Sequence, residues 1–338
     1  MKILVTGGLG FIGSNFIRFM LNEQRAISII NLDNLSYGSN PNNLEDFKGN
    51  IHYEFIKGDI TNKRLIERLI NSKNIDIVIN FAAQSHVDRS IANPISFYKN
   101  NVGGVLSILE AIRKSKRNIR FIQIGTDESY GEILDGSFRE EDRLKPSSPY
   151  SASKAAADLF CLAYQRTYGL DIVISRCTNN FGPYQFPEKL IPKTIIRAHL
   201  GLKVPIYGSG KNVRDWIYVL DYCEALEKLM YRGRSGEIYN VSSGNELDNL
   251  TLVKKILGIM GKSEDIIEFV EDRPGHDLRY NLDSTKIRNE MEWRPRHDFE
   301  EALKATISWY LSNESWWKPL IDDRVLHPTP WKLNGDII

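Results

Sequence analysis

The chain has 338 residues, with 44 Lys and Arg against 43 Asp and Glu. That length suits one large domain or two closely joined ones, and so even a charge balance, without a basic stripe, argues against nucleic acid or a membrane surface as partner. Cys161, Cys177 and Cys223 lack an even count and metal-ligand spacing; with no secretory leader and no bilayer-spanning apolar run, they predict a soluble, cytoplasmic protein that holds no metal.

In the first half, apolar β-branched runs alternate with helical patterns. "KILVT" is a strand, followed by a helix near 12–22, then the strands "SIINLD" and "IHYEFIKGD". A helix near 62–72, "DIVINFAA", a helix near 97–115, "IRFIQIGT", a helix near 150–168 and "DIVISR" complete the series. This alternation predicts a doubly wound α/β domain, a parallel sheet covered on both faces, over 1–177. The rest, 178–338, reads as a smaller and mostly helical lobe, with some segments returning to the sheet. It opens with "TNNFGPYQFPEKLIP", then shows a helix near 191–200, the long polar-aromatic stretch "KVPIYGSGKNVRDWIYV" and a helix near 222–232. The strand "EIYNVSS" and helices near 251–261 and 298–312 follow. Long loops of this kind are uncommon unless they bind something, so a cleft between the lobes is expected.

"TGGLGFIG" sets Gly7, Gly8, Gly10 and Gly13 between the first strand and first helix. Glycines there allow a tight turn whose amides, with the helix N-terminus, approach a pyrophosphate. Asp33 ends the second strand; a carboxylate there accepts from ribose hydroxyls and repels a 2′-phosphate, which selects NAD over NADP. Asp59 and Ile60, after the third strand, either flank the adenine or begin the next helix, with Asp59 as its N-cap.

"YSASK" puts Tyr150 and Lys154 four residues apart, on one helix face. A nearby ammonium and the positive nicotinamide ring both favour a phenolate, which takes a proton from a sugar hydroxyl. Thr126 lies about one strand upstream, and next to it stand two adjacent acids, Asp127 and Glu128, at the carboxyl edge where such sheets bind ligands. Sheltered from water, paired carboxyls split their proton affinities, and one can donate while the other accepts.

The motifs "TGGLGFIGSNF", "SHVDRSI", "TDESYG", "PYSASKAAAD", "TNNFGPYQFPEKLIP", "NVRDWIYVLDYCEA" and "DRPGHDLRY" together resemble the extended short-chain dehydrogenase/reductase superfamily. Within it, essentially the whole chain is similar to the nucleotide-sugar 4,6-dehydratases that act on dTDP-glucose. The resemblance implies oxidation of the hexose at carbon 4, loss of water across carbons 5 and 6, and hydride return to carbon 6, in rhamnose-type deoxysugar precursor synthesis. It implies Glu128 as base at carbon 5, Asp127 as acid toward the departing hydroxyl, Tyr150 as redox base, and Thr126 bonded to the carbon-4 oxygen. Phe11, Ile12, Asn34, Ser36, Ala82, Ala83, Asn100 and Asn180 would join the glycines, Asp33, Tyr150 and Lys154 around NAD. Ser85, Asn179, Lys189 and Leu190 would meet the sugar and phosphates, and Arg214, Arg273, Asn249 and His276 the diphosphate. Pro205, Ile206 and Tyr207 would line the base pocket. Because relatives pair the helices carrying Val102–Ile112 and Ala155–Ala163 between subunits, a homodimer is implied.

Some positions depart from the family pattern: Gly125 replaces a serine or threonine, Gln84 a glutamate, Asn100 a threonine and Ser129 a valine. The rival readings are a 4-epimerase or UDP-glucuronate decarboxylase on the same scaffold, and a non-catalytic NAD-binding sensor. An epimerase has no use for the acid pair, and the decarboxylase pattern carries serine in place of the aspartate. A sensor would be free to lose the catalytic groups.

Overall fold

Residues 1–23 and 26–333 are described by the computed structural model. Strand β1 (Lys2–Thr6) runs through the glycine turn into α1 (Phe11–Glu23), followed by β2 (Ser28–Asp33) and β3 (Tyr53–Lys57). Helix α2 (Lys63–Ser72) leads to β4 (Ile77–Asn80), and the short α3 (Val87–Ala92) and α4 (Pro94–Phe97) precede α5 (Gly104–Ser115). Then come β5 (Arg120–Ile124), α6 (Pro149–Tyr168) and β6 (Ile172–Cys177). These strands pair in parallel throughout.

The remaining chain builds β7 (Asn179–Phe181), α7 (Leu190–His199), β8 (Val204–Tyr207), β9 (Val213–Tyr218) and α8 (Val219–Arg232). Strand β10 (Ile238–Val241) returns to the main sheet beside β6, so its order is β10-β6-β5-β4-β1-β2-β3. Strand β11 (Glu246–Asp248) pairs with β9, which also pairs with β7, while β12 (Ile267–Val270) pairs with β8. Helices α9 (Asn249–Ile259), α10 (Thr285–Glu290), α11 (Phe299–Ser312) and α12 (Glu314–Trp317) complete the series.

Alternation along the strands explains the two layers. Ile3 and Val5 point to the face covered by Phe16, Ile17 and Met20 of α1 and Tyr222, Leu226 and Leu229 of α8. Leu4 points the other way, toward Ile66 and Leu69 of α2, Ile108 and Leu109 of α5 and Ala157 of α6. A sheet buried on both faces needs apolar residues at every position, hence the unbroken runs read from sequence. At the edge, β3 is relieved of that demand and exposes Glu54, Phe55 and Lys57.

The chain builds outward from β1 to β3, then crosses to β4 on the other side of β1. That reversal opens a crevice at the strands' carboxyl ends. A buried polar chain holds the edge of the crevice in register: Thr6 Oγ1 donates to Asn80 Oδ1 at 2.6 Å, and Asn80 Nδ2 to Gln123 Oε1 at 2.9 Å. The region after Arg176 has its own aromatic core of Phe181, Trp216, Tyr310, Trp316 and Trp317 with Ile191, Ile195, Leu252 and Leu303.

The helix predicted near 97–115 begins earlier, at Pro94, and passes through a π-helical stretch, Tyr98–Gly103, before α5. The lobe expected to be mostly helical also contains β7, β8, β9, β11 and β12. Four of these strands, β7, β8, β11 and β12, have three or four residues and no alternation long enough to recognise.

Candidate active site

One cavity of about 310 Å3 runs along the crevice, from the glycine turn past the acid pair to the segment before α7. Two glycines have no substitute in the turn. At Gly7, with φ +71°, a Cβ would lie 2.5 Å from Ala82 N; at Gly13 it would lie 2.5 Å from Gly7 O. Gly10 N donates to Gly7 O at 3.1 Å and Ser14 N to Gly10 O at 3.0 Å, so the turn flows into α1. Asp33 ties the turn to the next loop: Oδ2 accepts from Leu9 N at 3.0 Å, and Oδ1 from Leu35 N and Ser39 Oγ at 2.9 and 2.8 Å.

Gly7, Gly10, Phe11, Ile12, Gly13, Asp33, Asn34, Ser36, Ile60, Ala82, Ala83, Asn100, Tyr150, Lys154 and Asn180 all line this cavity. Asn100 Oδ1 and Asn180 Oδ1 are buried there without a protein partner. Such acceptors need a donor from whatever fills the space. A backbone cradle with no room for side chains, a carboxylate at the end of β2 and two orphaned amide oxygens fit a dinucleotide.

Asp59 stands apart from the other predicted cofactor residues. Its Oδ1 accepts from Thr61 N and Oγ1, and its Oδ2 from Asn34 Nδ2 at 2.9 Å. It therefore orients Asn34, a lining residue, without lining the cavity itself. Nor does it cap the next helix, because Asn62 does so through Leu65 N.

Helix α6 presents Tyr150 and Lys154 because its start is well defined. Ser148 is the N-cap, Ser151 completes a reciprocal capping pair, and Pro149 occupies the first turn. Tyr150 packs edge-on to Phe97, with ring centroids 6.3 Å apart. The Lys154 ammonium donates to Ile124 O, one strand end away from the acid pair. Sequence reasoning expected Lys154 and the positive nicotinamide ring together to lower the Tyr150 phenol. In the protein chain burial drives it well above its ordinary value, with Glu128 and other negative groups adding to the shift and Thr126 opposing it. The phenol is thus neutral unless a cation binds against it. Burial also lowers Lys154, with Asp158 opposing.

After β5, Thr126 caps a single 3-10 turn, Asp127–Ser129. Asp127 Oδ1 accepts from Glu128 N at 2.9 Å and Thr126 Oγ1 at 3.1 Å, while Oδ2 is buried with no partner. Burial, then the adjacent Glu128 charge, pushes Asp127 up to about 7. Glu128 is raised by burial too, but Arg273, Arg214 and Lys189 pull it back toward the carboxylate. The two acids are unlike in their surroundings, as the acid-pair reading requires.

Gly125, where the family pattern has a hydroxyl residue, has a local cause. A Cβ there would lie 2.9 Å from Arg176 Cγ and 3.1 Å from Asp158 Oδ2. Arg176 Nε and Asp158 Oδ2 form a buried ion pair at 2.9 Å directly beneath the turn, and the guanidinium lies 4.7 Å from the Tyr130 ring centre. A side chain at position 125 would press on that pair and force it to shift.

Of the predicted substrate residues, Ser85, Thr126, Asn179 and Lys189 line the cavity. Lys189 Nζ donates to Ser85 O at 3.1 Å across it. Leu190 starts α7 and packs on the aromatic core. Ile206 is a core residue, buried with Val204, Val253 and Leu257, so its side chain is not free to line a pocket. Pro205 sits beside it in β8, paired with Glu268. Asn249 opens α9, and its N–H donates to Asn212 O at 3.1 Å.

The predicted arginines act on the acids by charge, although neither lines the cavity. Arg273 Nη1 pairs with Asp88 Oδ1 at 2.9 Å, and Tyr207 OH donates to Asp88 Oδ2 at 3.3 Å. Asp88, inside "SHVDRSI", was not singled out from sequence; its partners lie in segments more than a hundred residues away. Arg214 donates to the carbonyls of Val213, Asp277 and Leu278, with its guanidinium 4.2 Å over the Tyr280 ring. His276 Nδ1 lies 2.7 Å from Asp272 Oδ1, yet burial, Arg273 and Arg214 lower the imidazole to about 4, so it is neutral at neutral pH.

Residues 4–306 match the family described as GDP-mannose 4,6 dehydratase. The chain is 45% identical over 324 residues to a dTDP-glucose 4,6-dehydratase of Streptomyces niveus, covering 95% of this chain and 96% of that protein. It is 48% identical over 314 residues to the low-salt glycan biosynthesis protein Agl12 of Haloferax volcanii, covering 93% and 100%. Among solved structures it is similar to the dTDP-glucose 4,6-dehydratase DesIV of Streptomyces venezuelae with NAD and TYD bound, at a TM-score of 0.92 and 43% identity, covering 95% and 100%.

Proposed function

Since this chain belongs to the GDP-mannose 4,6-dehydratase family, within the extended short-chain dehydrogenase/reductases, we propose that it converts dTDP-glucose to dTDP-4-keto-6-deoxy-glucose and water. The observation that carries this reading is the unequal acid pair. Asp127 has a partnerless oxygen and a proton affinity near neutrality, next to Glu128, which three cations face. NAD, when bound, supplies the acceptor and donor of hydride that opens and closes the cycle.

The glycine turn, Asp33, Asn34, Ser36, Asn100 and Asn180 hold the dinucleotide. Tyr150 Oη, as the phenolate that a bound cation would favour, takes the proton of the carbon-4 hydroxyl, with Thr126 Oγ1 beside it to bond the resulting carbonyl oxygen. That carbonyl acidifies carbon 5 and makes the carbon-6 hydroxyl a β leaving group. Glu128 then removes the carbon-5 proton while Asp127 Oδ2 delivers its own to the departing hydroxyl. Asn179 and Lys189 meet the sugar and phosphates from the cavity wall, and Arg214 and Arg273 reach the diphosphate by exchanging their bonds to backbone carbonyls and to Asp88.

A 4-epimerase would use Tyr150 and Lys154 and leave the acids idle. We place the lobe boundary near 177, where β6 ends. The homodimer reading is supported by exposed apolar residues on neighbouring elements: Ile95 and Tyr98 before α5, and Leu159 and Phe160 on α6. A reducing, cytoplasmic setting is supported by three buried free cysteines. Incubation of the purified protein with dTDP-glucose and no added NAD is expected to give the 4-keto-6-deoxy product. Bound NAD with unchanged sugar would sink the reading, and a panel of UDP-, GDP- and CDP-glucose tests the nucleotide preference.

A further inference from the structure

Tyr37, Arg89 and Glu188 come from three distant segments and meet at the cavity wall. Tyr37 lies on the loop beyond Asp33, Arg89 in α3, and Glu188 just before α7. The Tyr37 hydroxyl donates to Glu188 Oε2 at 2.7 Å, its ring centre lies 4.9 Å from that of Phe186, and the Arg89 guanidinium sits 3.6 Å over the ring. Glu188 Oε2 is also 3.7 Å from His86 Nε2, and its side chain is only 7% exposed. None of these groups has a part in the proton transfers described above.

Their position is informative. Tyr37, His86, Arg89 and Glu188 line the main cavity on one side. On the other they line a second cavity, of about 90 Å3, whose remaining walls include Arg324, Val325, Pro330 and Leu333. They form a partition, tied by a hydrogen bond to a carboxylate and by a cation stacked on an aromatic face. The partition joins the loop that follows Asp33 and carries Ser36 to the segment that carries Lys189, so it links the dinucleotide end of the cavity to its sugar end.

The chemistry gives such a tie a use. A cofactor returned to its starting state in each cycle need not leave, and its loss midway would strand an unsaturated ketone on the protein. We propose that Tyr37, Arg89 and Glu188 form a clasp that keeps the dinucleotide in the cavity through one turnover. The clasp rests on the dehydratase reading for its purpose, and its test is separate from sugar chemistry.

The test follows NADH fluorescence from the loaded full-length protein after a chase with excess NAD. Tyr37→Phe keeps the ring and its Arg89 contact and removes only the hydroxyl; release is expected to be about tenfold faster, the effect of losing one hydrogen bond to a charged group. Glu188→Met removes the acceptor itself, is expected to act similarly and provides the measurement if Tyr37→Phe disturbs the loop. The double variant should release little faster than the quicker single one, because both remove the same tie. Unchanged release in both single variants would overturn the clasp, even if catalysis is normal. A parent protein that holds NAD but leaves dTDP-glucose unchanged would overturn the dehydratase reading instead, and accelerated release in the variants would still support the clasp.

Discussion

Asp127 illustrates how much one side chain's surroundings decide. Its carboxyl would ionise at 3.8 in an ordinary setting, and burial beside Glu128 raises that to about 7. The folded chain therefore binds more protons at this group than the unfolded chain between those values. Stability falls as pH rises through the interval, by up to about 1.4 kcal/mol per pH unit, and the cost is fully present only above about pH 7. Asp127→Asn has no such cost, so its stability relative to the parent should improve from pH 4 to 7 and level off above. Urea unfolding of both proteins across that range checks the sign; a constant difference would mean that Asp127 is already ionised in the fold. The same variant should oxidise carbon 4 yet eliminate water about 100-fold more slowly or worse, seen by rapid-quench assay with dTDP-glucose. The adjacent acids were legible in "TDESYG". Which of them keeps a free oxygen, and which faces Arg214 and Arg273, was not.

At the scale of elements, the strand–turn–helix unit at the N-terminus and the capped α6 are the two devices that aim the chemistry. Both were legible, because each is local: glycines between an apolar strand and an apolar helix, and a Tyr and Lys one helical turn apart. Gly13→Ala would place a methyl group 2.5 Å from Gly7 O, against backbone that has no freedom to yield. The helix start must then shift off the turn. The expected result is a folded protein that loses bound NAD on gel filtration; full retention would show that the turn has slack. The π-helical stretch at Tyr98–Gly103 was not legible, since one extra residue per turn leaves the apolar pattern of a helix almost unchanged over so short a run. It carries Asn100, whose buried Oδ1 has no partner in the chain.

For the whole molecule, the apolar surface of α6 and the segment before α5 is the feature without an internal explanation. Ile95 and Tyr98 are 59% and 61% exposed, Leu159 and Phe160 55% and 40%. Solvated apolar groups gathered on neighbouring elements favour a partner surface. Leu159→Glu with Phe160→Glu is expected to shift the sedimenting species from dimer to monomer while circular dichroism stays unchanged. A parent that already sediments as a monomer would refute the assembly.

From the sequence alone came the doubly wound sheet, the glycine turn, the Tyr and Lys on one helix face and the adjacent acids. These depend on periodicity and on residues close together in the chain, so their order along it carries the information. Tertiary structure decided the rest. It placed Ile206 in a core and freed Asp59 from any capping role. It joined Asp88 to Arg273 across 185 positions, and it packed Arg176 and Asp158 tightly beneath Gly125. Proton affinity, burial and long-range ion pairing depend on distances through space, and local periodicity in a chain does not encode those distances.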